Sequence, residues 1–234
     1  IVIVTAVFFV FLGVKKTGSA VHPANRVSAR SLLNQARQFG AKGSELEAKN
    51  VYQKLVNDFP ESPDVAGWQK RVEDINIKLL FSSVITPKSI AYQIRPGDTL
   101  NKIAREHKTT VELIMKSNNI SGSFIVPGRK LKIWNAPFSI LVDKSQNILL
   151  LKSDEEVIKT YIVSTGKNNC TPAGTFRITN KLHNPTWFKA GAIVPPGSAE
   201  NVLGTRWMGF DLAGYGIHGT IEPKELGKQI TEGC

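Results

Sequence analysis

The chain has 234 residues, of which 41% are hydrophobic and 21% are charged, and its formal net charge is +11. The length suits two or three small domains, and the composition excludes collagen, a mainly disordered chain, a disulfide-dense miniprotein and a multi-pass membrane protein. Residues 1–134 contain 20 Lys and Arg against 10 Asp and Glu, whereas residues 135–234 contain 10 against 9. This basic excess favours either an anionic partner or simple solubility.

The first 14 residues form an apolar run that precedes Lys15 and Lys16. A helix needs about 20 residues to cross a bilayer, so this run is too short to span one alone. It predicts a clipped signal peptide or membrane anchor over residues 1–20, and a buried core helix is the alternative. We therefore expect an exported protein whose N-terminal segment has the membrane as its partner.

Residues 26–82 show the apolar periodicity of helices. A first helix is predicted to end near Gly43, and Ser44 with Glu47 predicts a capping box that opens a second. The stretch Asn57–Pro63 between the second and third predicted helices resembles the tetratricopeptide-like repeats of bacterial envelope proteins. Because one repeat cannot bury a solenoid core alone, the segment is interpreted as a truncated array, an oligomerising arm or a spacer, with a protein as candidate partner.

Residues 83–89 predict a linker, and residues 90–134 predict a strand, two helices and a strand. This second stretch includes the sequences YQIRPGDTLNKIAREHKTTVELIMKSNNI and IVPGRKLKI, which resemble a LysM module. The resemblance implies a βααβ fold that binds N-acetylglucosamine-containing chains between two loops. Their backbone groups can bind acetamido groups, and their apolar side chains can pack on sugar faces. The expected glycan-binding residues are Pro96, Gly97, Asp98, Thr99, Ile125, Pro127 and Gly128.

Residues 136–234 are nearly neutral, rich in Gly and Pro, and begin with three predicted strands of an antiparallel meander. The later motifs include Thr171–Phe176, Asn201–Trp207 and Gly216–Thr220, and in this order they resemble the L,D-transpeptidase catalytic domain of the YkuD type. The resemblance implies a mainly-β catalytic domain, which we expect to be C-terminally incomplete. The predicted fold class is multi-domain α+β, with a helical hairpin segment, a βααβ LysM module and this catalytic domain.

Acyl transfer from a peptide needs a nucleophile and a base, and a thiol becomes competent when an imidazole takes its proton. Cys234 is the expected nucleophile, and His218, 16 residues before it, is the expected base. The resemblance implies that the carbonyl of Gly219 orients the imidazole. Backbone N–H groups around Gly233 and Cys234 are expected to stabilise the tetrahedral oxyanion.

Four further residues are expected near the substrate, namely Arg206, Trp207, Thr220 and Thr231. Arg206 can bind a stem carboxylate or stack on Trp207 for structure. Thr231 supplies a hydroxyl shortly before the Gly–Cys pair. Cys170 can pair with the predicted nucleophile in an oxidising envelope, or remain a bystander thiol.

The resemblance implies a peptidoglycan L,D-transpeptidase of the bacterial cell envelope, with stem peptides and glycan chains as partners. The reaction expels D-alanine from a tetrapeptide stem and passes the acyl group from a thioester to an amine. Water as acceptor makes the protein an L,D-carboxypeptidase, and a noncatalytic peptidoglycan-binding scaffold is the rival interpretation. Neither a metal nor another cofactor is expected, and the dispersed basic residues do not predict nucleic acid as a partner. The chain ending at Cys234 is expected to be inactive.

Overall fold

The computed structural model describes residues 2–5, 23–189 and 191–231. They form two compact units, one from residues 23–137 and one from residues 2–5 with 138–231. In chain order the elements are β1 (Val2–Thr5), α1 (Pro23–Ala41), α2 (Glu45–Asp58), α3 (Val65–Leu80), β2 (Ser89–Gln93), α4 (Leu100–Glu106), α5 (Val111–Ser117), β3 (Lys130–Trp134), β4 (Phe138–Asp143), β5 (Ile148–Ser153), β6 (Glu156–Ile162), β7 (Thr165–Gly166), β8 (Gly174–Phe176), β9 (Ile178–His183), β10 (Trp187–Lys189), β11 (Ala192–Val194), β12 (Arg206–Phe210), β13 (Gly216–His218) and β14 (Gln229–Thr231). The predicted α+β class is confirmed.

Helices α1, α2 and α3 pack through one apolar core that includes Tyr52, Leu55, Trp68 and Val72. These residues lie on the predicted helical faces, because a helix buries positions three and four apart. The predicted capping box at Ser44 is wrong. Ser44 precedes α2, but its side chain makes no capping hydrogen bond, since its φ of −80° and ψ of 69° depart from the extended conformation typical of a capping residue.

Strands β2 and β3 pair in antiparallel register, and α4 and α5 lie between them in the chain, which confirms the βααβ fold. Each of these short helices begins after a threonine. The Thr99 hydroxyl accepts a hydrogen bond from the Lys102 N–H at 3.2 Å, and the Thr110 hydroxyl accepts one from the Leu113 N–H at 3.1 Å. Both threonines thus satisfy amide groups that a helix leaves unpaired at its start.

The C-terminal end of α3 is held by side chains of the βααβ unit. The Ser117 hydroxyl donates to the Leu80 carbonyl at 2.9 Å, and the Lys132 ammonium donates to the carbonyls of Leu79 and Ser82. Lys132 is only 2% exposed, and burial lowers the pKa of its ammonium to about 8. The predicted linker at residues 83–89 has no regular element before Ser89, but these bonds fix its start.

The remaining strands make up a mainly-β unit. Strands β4, β5 and β6 form the predicted antiparallel meander, within a sheet of order β6-β5-β4-β1-β8. A second sheet has the order β13-β12-β9, a hairpin joins β10 to β11, and β14 pairs in parallel with β7. This second sheet positions the candidate active site.

The N-terminal apolar run contributes a strand to the first sheet. Strand β1 pairs in parallel with β4 and antiparallel with β8, and Val2 and Val4 are 0% and 2% exposed. Its β-branched residues suit a strand with one buried face. Four residues of the predicted signal peptide or anchor, residues 2–5, form this strand, whereas residues 6–22 lie outside the described residues, so the signal peptide or anchor stays a prediction. Within the described ranges, no helix combines the length and apolar character needed to cross a membrane.

Candidate active site and glycan groove

His218 ends strand β13, and its imidazole is oriented by the next residue. Its Nδ1 lies 2.7 Å from the carbonyl oxygen of Gly219. Because a carbonyl oxygen can only accept a hydrogen bond, Nδ1 carries the proton and Nε2 retains a lone pair in the neutral ring. This tautomer leaves Nε2 able to take a proton from a nucleophile.

The environment of the imidazole also favours its basic, uncharged form. Burial lowers the pKa of His218 below its ordinary value of 6.5, and hydrogen bonding to the backbones of Gly219 and Val202 opposes that shift. A neutral imidazole is the form that can act as a general base near neutral pH.

The loop before β12 lies directly against the end of β13. A Cβ added at Gly204 would lie 3.0 Å from the Thr220 nitrogen, and one added at Gly219 would lie 3.2 Å from the Leu203 carbonyl oxygen. Gly204 also has a φ of +62°, a conformation that favours glycine. The two glycines allow this close backbone approach, which brings Val202 next to the imidazole.

Asn201 holds that loop in place and was given no role from sequence. It is 1% exposed, its Nδ2 donates to the Pro185 carbonyl at 2.9 Å and the Pro195 carbonyl at 3.2 Å, and its Oδ1 accepts from the Leu203 N–H at 3.1 Å. A polar residue in a Gly-rich loop is the signal that could have suggested such a role, because buried carboxamides need partners.

The structure separates the predicted substrate residues. Trp207 lies opposite His218 on the neighbouring strand, whereas Arg206 lies opposite His183. Successive strand residues point to opposite faces, which disfavours the alternative in which Arg206 stacks on Trp207. Arg206 donates from Nη1 to the Thr205 carbonyl at 3.0 Å. The exposed Thr220 hydroxyl accepts from the Glu222 N–H at 2.9 Å.

Thr231 ends strand β14 opposite Gly166. The predicted nucleophile Cys234 and oxyanion residue Gly233 lie outside the described residues. Cys170 is an exposed free thiol in the described part of the chain, whereas the alternative in which it pairs with Cys234 involves a residue outside that part. Among residues 2–5, 23–189 and 191–231, no cluster of three His, Cys, Asp or Glu side chains could hold a metal ion.

A groove of about 620 Å³ opens between the two predicted glycan loops. It brings together Pro96, Pro127 and Gly128, while sequence reasoning missed its floor on β2 and the neighbouring Ile94 and Arg95. Gly128 has a φ of +89°, as the turn beside the groove requires. The full lining consists of Ala91, Tyr92, Gln93, Ile94, Arg95, Pro96, Pro127 and Gly128.

The other predicted glycan residues build the loops around this groove. The Asp98 carboxylate accepts from the Tyr92 hydroxyl at 2.7 Å and the Arg95 N–H at 2.8 Å, and its side chain is 1% exposed. These bonds lower the pKa of Asp98, and its carboxylate raises the pKa of Tyr92. Thr99 caps α4 through its side-chain hydroxyl. Gly97, at a φ of +81°, forms the turn, and Ile125 packs against the core of the βααβ unit.

The comparisons with known proteins identify the domains that contain these two candidate sites. Residues 137–234 match the L,D-transpeptidase catalytic domain of the YkuD family, and residues 92–134 match the LysM domain. The chain therefore contains an L,D-transpeptidase catalytic domain preceded by a LysM domain, which confirms both resemblances.

Two similar curated proteins come from Bacillus subtilis (strain 168). "Putative L,D-transpeptidase YkuD" is 29% identical over 152 residues, which cover 62% of this chain and 84% of that protein. "Putative L,D-transpeptidase YqjB" is 41% identical over 101 residues, covering 41% of this chain and 56% of that protein. The "Cell wall-binding protein YocH" of the same strain is 38% identical over 73 residues, or 30% of this chain and 25% of that protein.

Proposed function

We propose that this protein is a cysteine-dependent peptidoglycan L,D-transpeptidase in which His218 is the general base and Cys234 is the nucleophile. The observation that carries the proposal is the contact between His218 Nδ1 and the Gly219 carbonyl, within a domain of the L,D-transpeptidase family. It leaves Nε2 unprotonated, and burial keeps the ring neutral at the pH where a base is needed.

In the first half-reaction, His218 Nε2 takes the proton of the Cys234 thiol, and the thiolate attacks the carbonyl carbon of the residue before the terminal D-alanine. Backbone N–H groups at Gly233 and Cys234 stabilise the resulting oxyanion. The intermediate then breaks its C–N bond, the imidazolium returns the proton to the leaving nitrogen, and D-alanine departs from a thioester.

In the second half-reaction, an amine of another stem attacks the thioester carbonyl while His218 removes its proton. The C–S bond breaks, the new amide forms a cross-link, and the cysteine regains a proton. If water attacks instead, the product is a trimmed stem with a free carboxylate. Trp207 beside the imidazole and Thr231 at the end of β14 belong to the same site, whereas Arg206 and the exposed Thr220 are candidates at its edge.

The LysM domain is proposed to hold the enzyme on its polymeric substrate through the groove between Pro96 and Pro127. Its similarity to proteins named for wall binding and for N-acetylmuramoyl-L-alanine amidase activity supports a location at the cell wall. The protein is accordingly exported to the envelope, and residues 26–82 act as a spacer or take a protein partner.

The catalytic assignment is tested on the full-length protein with a carbapenem, whose strained lactam carbonyl acylates a reactive thiol. Mass spectrometry is expected to find one adduct on Cys234, formed faster as the pH rises through the lowered pKa of His218. His218→Ala abolishes this acylation, whereas Cys170→Ser leaves it unchanged as the matched thiol control. An adduct on Cys170, or no adduct on a folded protein, contradicts the assignment.

The wall-binding assignment is tested by retention on purified peptidoglycan stripped of anionic polymer, at moderate salt. Pro96→Asp and Pro127→Asp are expected to lose retention, because a charge in the groove removes apolar surface that packs on sugar faces. Ser121→Asp makes the same change in charge at an exposed loop residue outside the groove lining and is expected to bind normally. Retention without any acylation in the preceding experiment indicates the noncatalytic scaffold.

A further inference from the structure

Four positions on strands β12 and β13 form a square on one face of their sheet. Trp207 lies opposite His218, and Gly209 lies opposite Gly216. Directly paired residues, and residues two apart along a strand, share a face. The two aromatic rings and the two glycines are therefore on the same face, and each glycine is two residues from the aromatic residue of its own strand.

The indole of Trp207 lies flat over this glycine pair. A Cβ added at Gly216 would lie 2.8 Å from Cζ2 and Cη2 of the indole, and one added at Gly209 would lie 2.7 Å from its Nε1. Neither glycine has a φ in the left-handed region. A Cβ added at Gly216 would also lie 2.5 Å from the Met208 carbonyl oxygen, and one added at Gly209 would lie 2.6 Å from Asn180 Oδ1. The indole is therefore one of the groups that leave no room for a side chain at these two positions.

The flat indole reaches the imidazole of the proposed base. The ring centroids of Trp207 and His218 are 6.1 Å apart, and the ring planes differ by 21°. The imidazole is thus bordered by the indole on the side of β12, while its Nδ1 bonds to the Gly219 carbonyl.

We propose that Trp207 is a positioning residue for His218, and that the absence of side chains at Gly209 and Gly216 lets its indole lie against the sheet. The indole limits rotation of the imidazole away from Gly219 and shields it from water. Trp207 then acts on the reaction through His218 rather than through contact with the peptide stem. This inference rests on the proposed function only in making His218 the base.

The position of the base matters because small misplacements of reacting groups cost about a hundredfold in rate. Water exclusion matters because burial favours the neutral imidazole. Leu182 on β9 provides a control residue. It lies opposite Trp207 on the strand that is not next to His218, and it is 49% exposed, so its truncation should leave His218 unaffected.

The test measures the titration of His218 by NMR of the imidazole protons in the full-length protein, with the signal assigned by its loss in His218→Ala. Trp207→Leu is expected to raise the pKa of His218, because the imidazole becomes more solvated. Gly216→Ala is expected to raise it too, because the added methyl displaces the indole. Since this methyl also meets the Met208 carbonyl oxygen, Gly209→Ala, whose methyl meets the indole and the Asn180 side chain instead, is measured beside it. Trp207→Phe should cause a smaller rise, and Leu182→Ala none.

A second readout separates positioning from substrate binding. At saturating carbapenem, Trp207→Leu and Gly216→Ala are expected to lower the acylation rate by at least about tenfold, with little change in the concentration that gives half the maximal rate. If the rate at saturation is unchanged and the concentration that gives half the maximal rate rises instead, Trp207 acts in substrate binding and the inference is overturned.

An unchanged His218 titration in folded Trp207→Leu and Gly216→Ala also overturns it. If either variant unfolds, as thermal denaturation reveals, Trp207→Phe and Gly209→Ala are judged by the same titration. The titration does not depend on catalysis. A wild-type protein that fails to acylate therefore refutes the proposed function, while the titrations still decide whether Trp207 controls His218.

Discussion

Replacement of Asn201 by Asp should destabilise the catalytic domain and slow acylation together. The change keeps the size of the side chain and its acceptor for the Leu203 N–H, but replaces the donating Nδ2 with an oxygen. In the native protein Nδ2 lies 2.9 Å, 3.2 Å and 3.4 Å from the carbonyl oxygens of Pro185, Pro195 and Val194. Asn201→Asp therefore directs an oxygen at three other oxygens in a buried position.

The structure sets the size of the effect. An NH₂ group has two hydrogens, so two good hydrogen bonds are lost, and each carbonyl left buried without a partner costs about 1 to 3 kcal/mol. We expect the free energy of unfolding to fall by about 3 kcal/mol or more, which in a domain of this size lowers the midpoint of thermal unfolding by at least about 10 °C. Acylation falls as well, because the loop that brings Val202 next to His218 loses its attachment.

The assay is thermal unfolding of the full-length protein followed by circular dichroism at several pH values. A carboxylate facing carbonyls has a raised pKa, and its protonated form can again donate to Pro185, so the folded variant binds more protons than the unfolded one. The gap between Asn201→Asp and wild type should therefore narrow as the pH falls. Asn168→Asp, in an exposed turn of the same domain, is the matched control. Equal midpoints for wild type and both variants refute the role given to Asn201.

Three further changes test the N-terminal unit by urea denaturation. The pKa of Asp98 in the folded protein is lower than its ordinary value of 3.8, so the wild type should lose stability as the pH falls from 3.8 through the lowered pKa. Asp98→Asn should remove this dependence on pH. The pKa of Lys132 is about 8 in the folded protein and 10.5 in the unfolded chain, so the unfolded chain binds more protons between these pH values. The free energy of unfolding of the wild type should therefore rise relative to that of Lys132→Met from pH 8 to 10. A difference between the two proteins that stays constant over this range contradicts the lowered pKa. Gly67→Ala, in α3, should raise the free energy of unfolding by about 0.5 to 1 kcal/mol, because nothing lies within 4 Å of the added Cβ and alanine favours the helix. A lower free energy of unfolding in this variant would contradict the open space at Gly67.

Several features of this protein could be predicted from sequence because they depend on neighbours in the chain. Apolar spacing is local, so the helical segment over residues 26–82 and the antiparallel meander of β4, β5 and β6 could be predicted from sequence. His218 stood in a motif with Gly219, and the partner of its Nδ1 is that next residue. A local pattern can also mislead, as at the start of α2, where the predicted capping box does not form because the backbone angles of Ser44 depart from the extended conformation.

Tertiary structure alone decided the contacts between distant segments. The carbonyls that bind Asn201 belong to segments 6 to 16 residues away, and Lys132 reaches the end of α3 across 53 residues. Strand register placed the indole of Trp207 over two glycines, and no local pattern indicates which glycines serve backbone turns and which serve space. Register and loop closure arise from the packing of the whole domain, so the amino acids near His218 could be named from sequence, whereas the side chains that hold it in position could not.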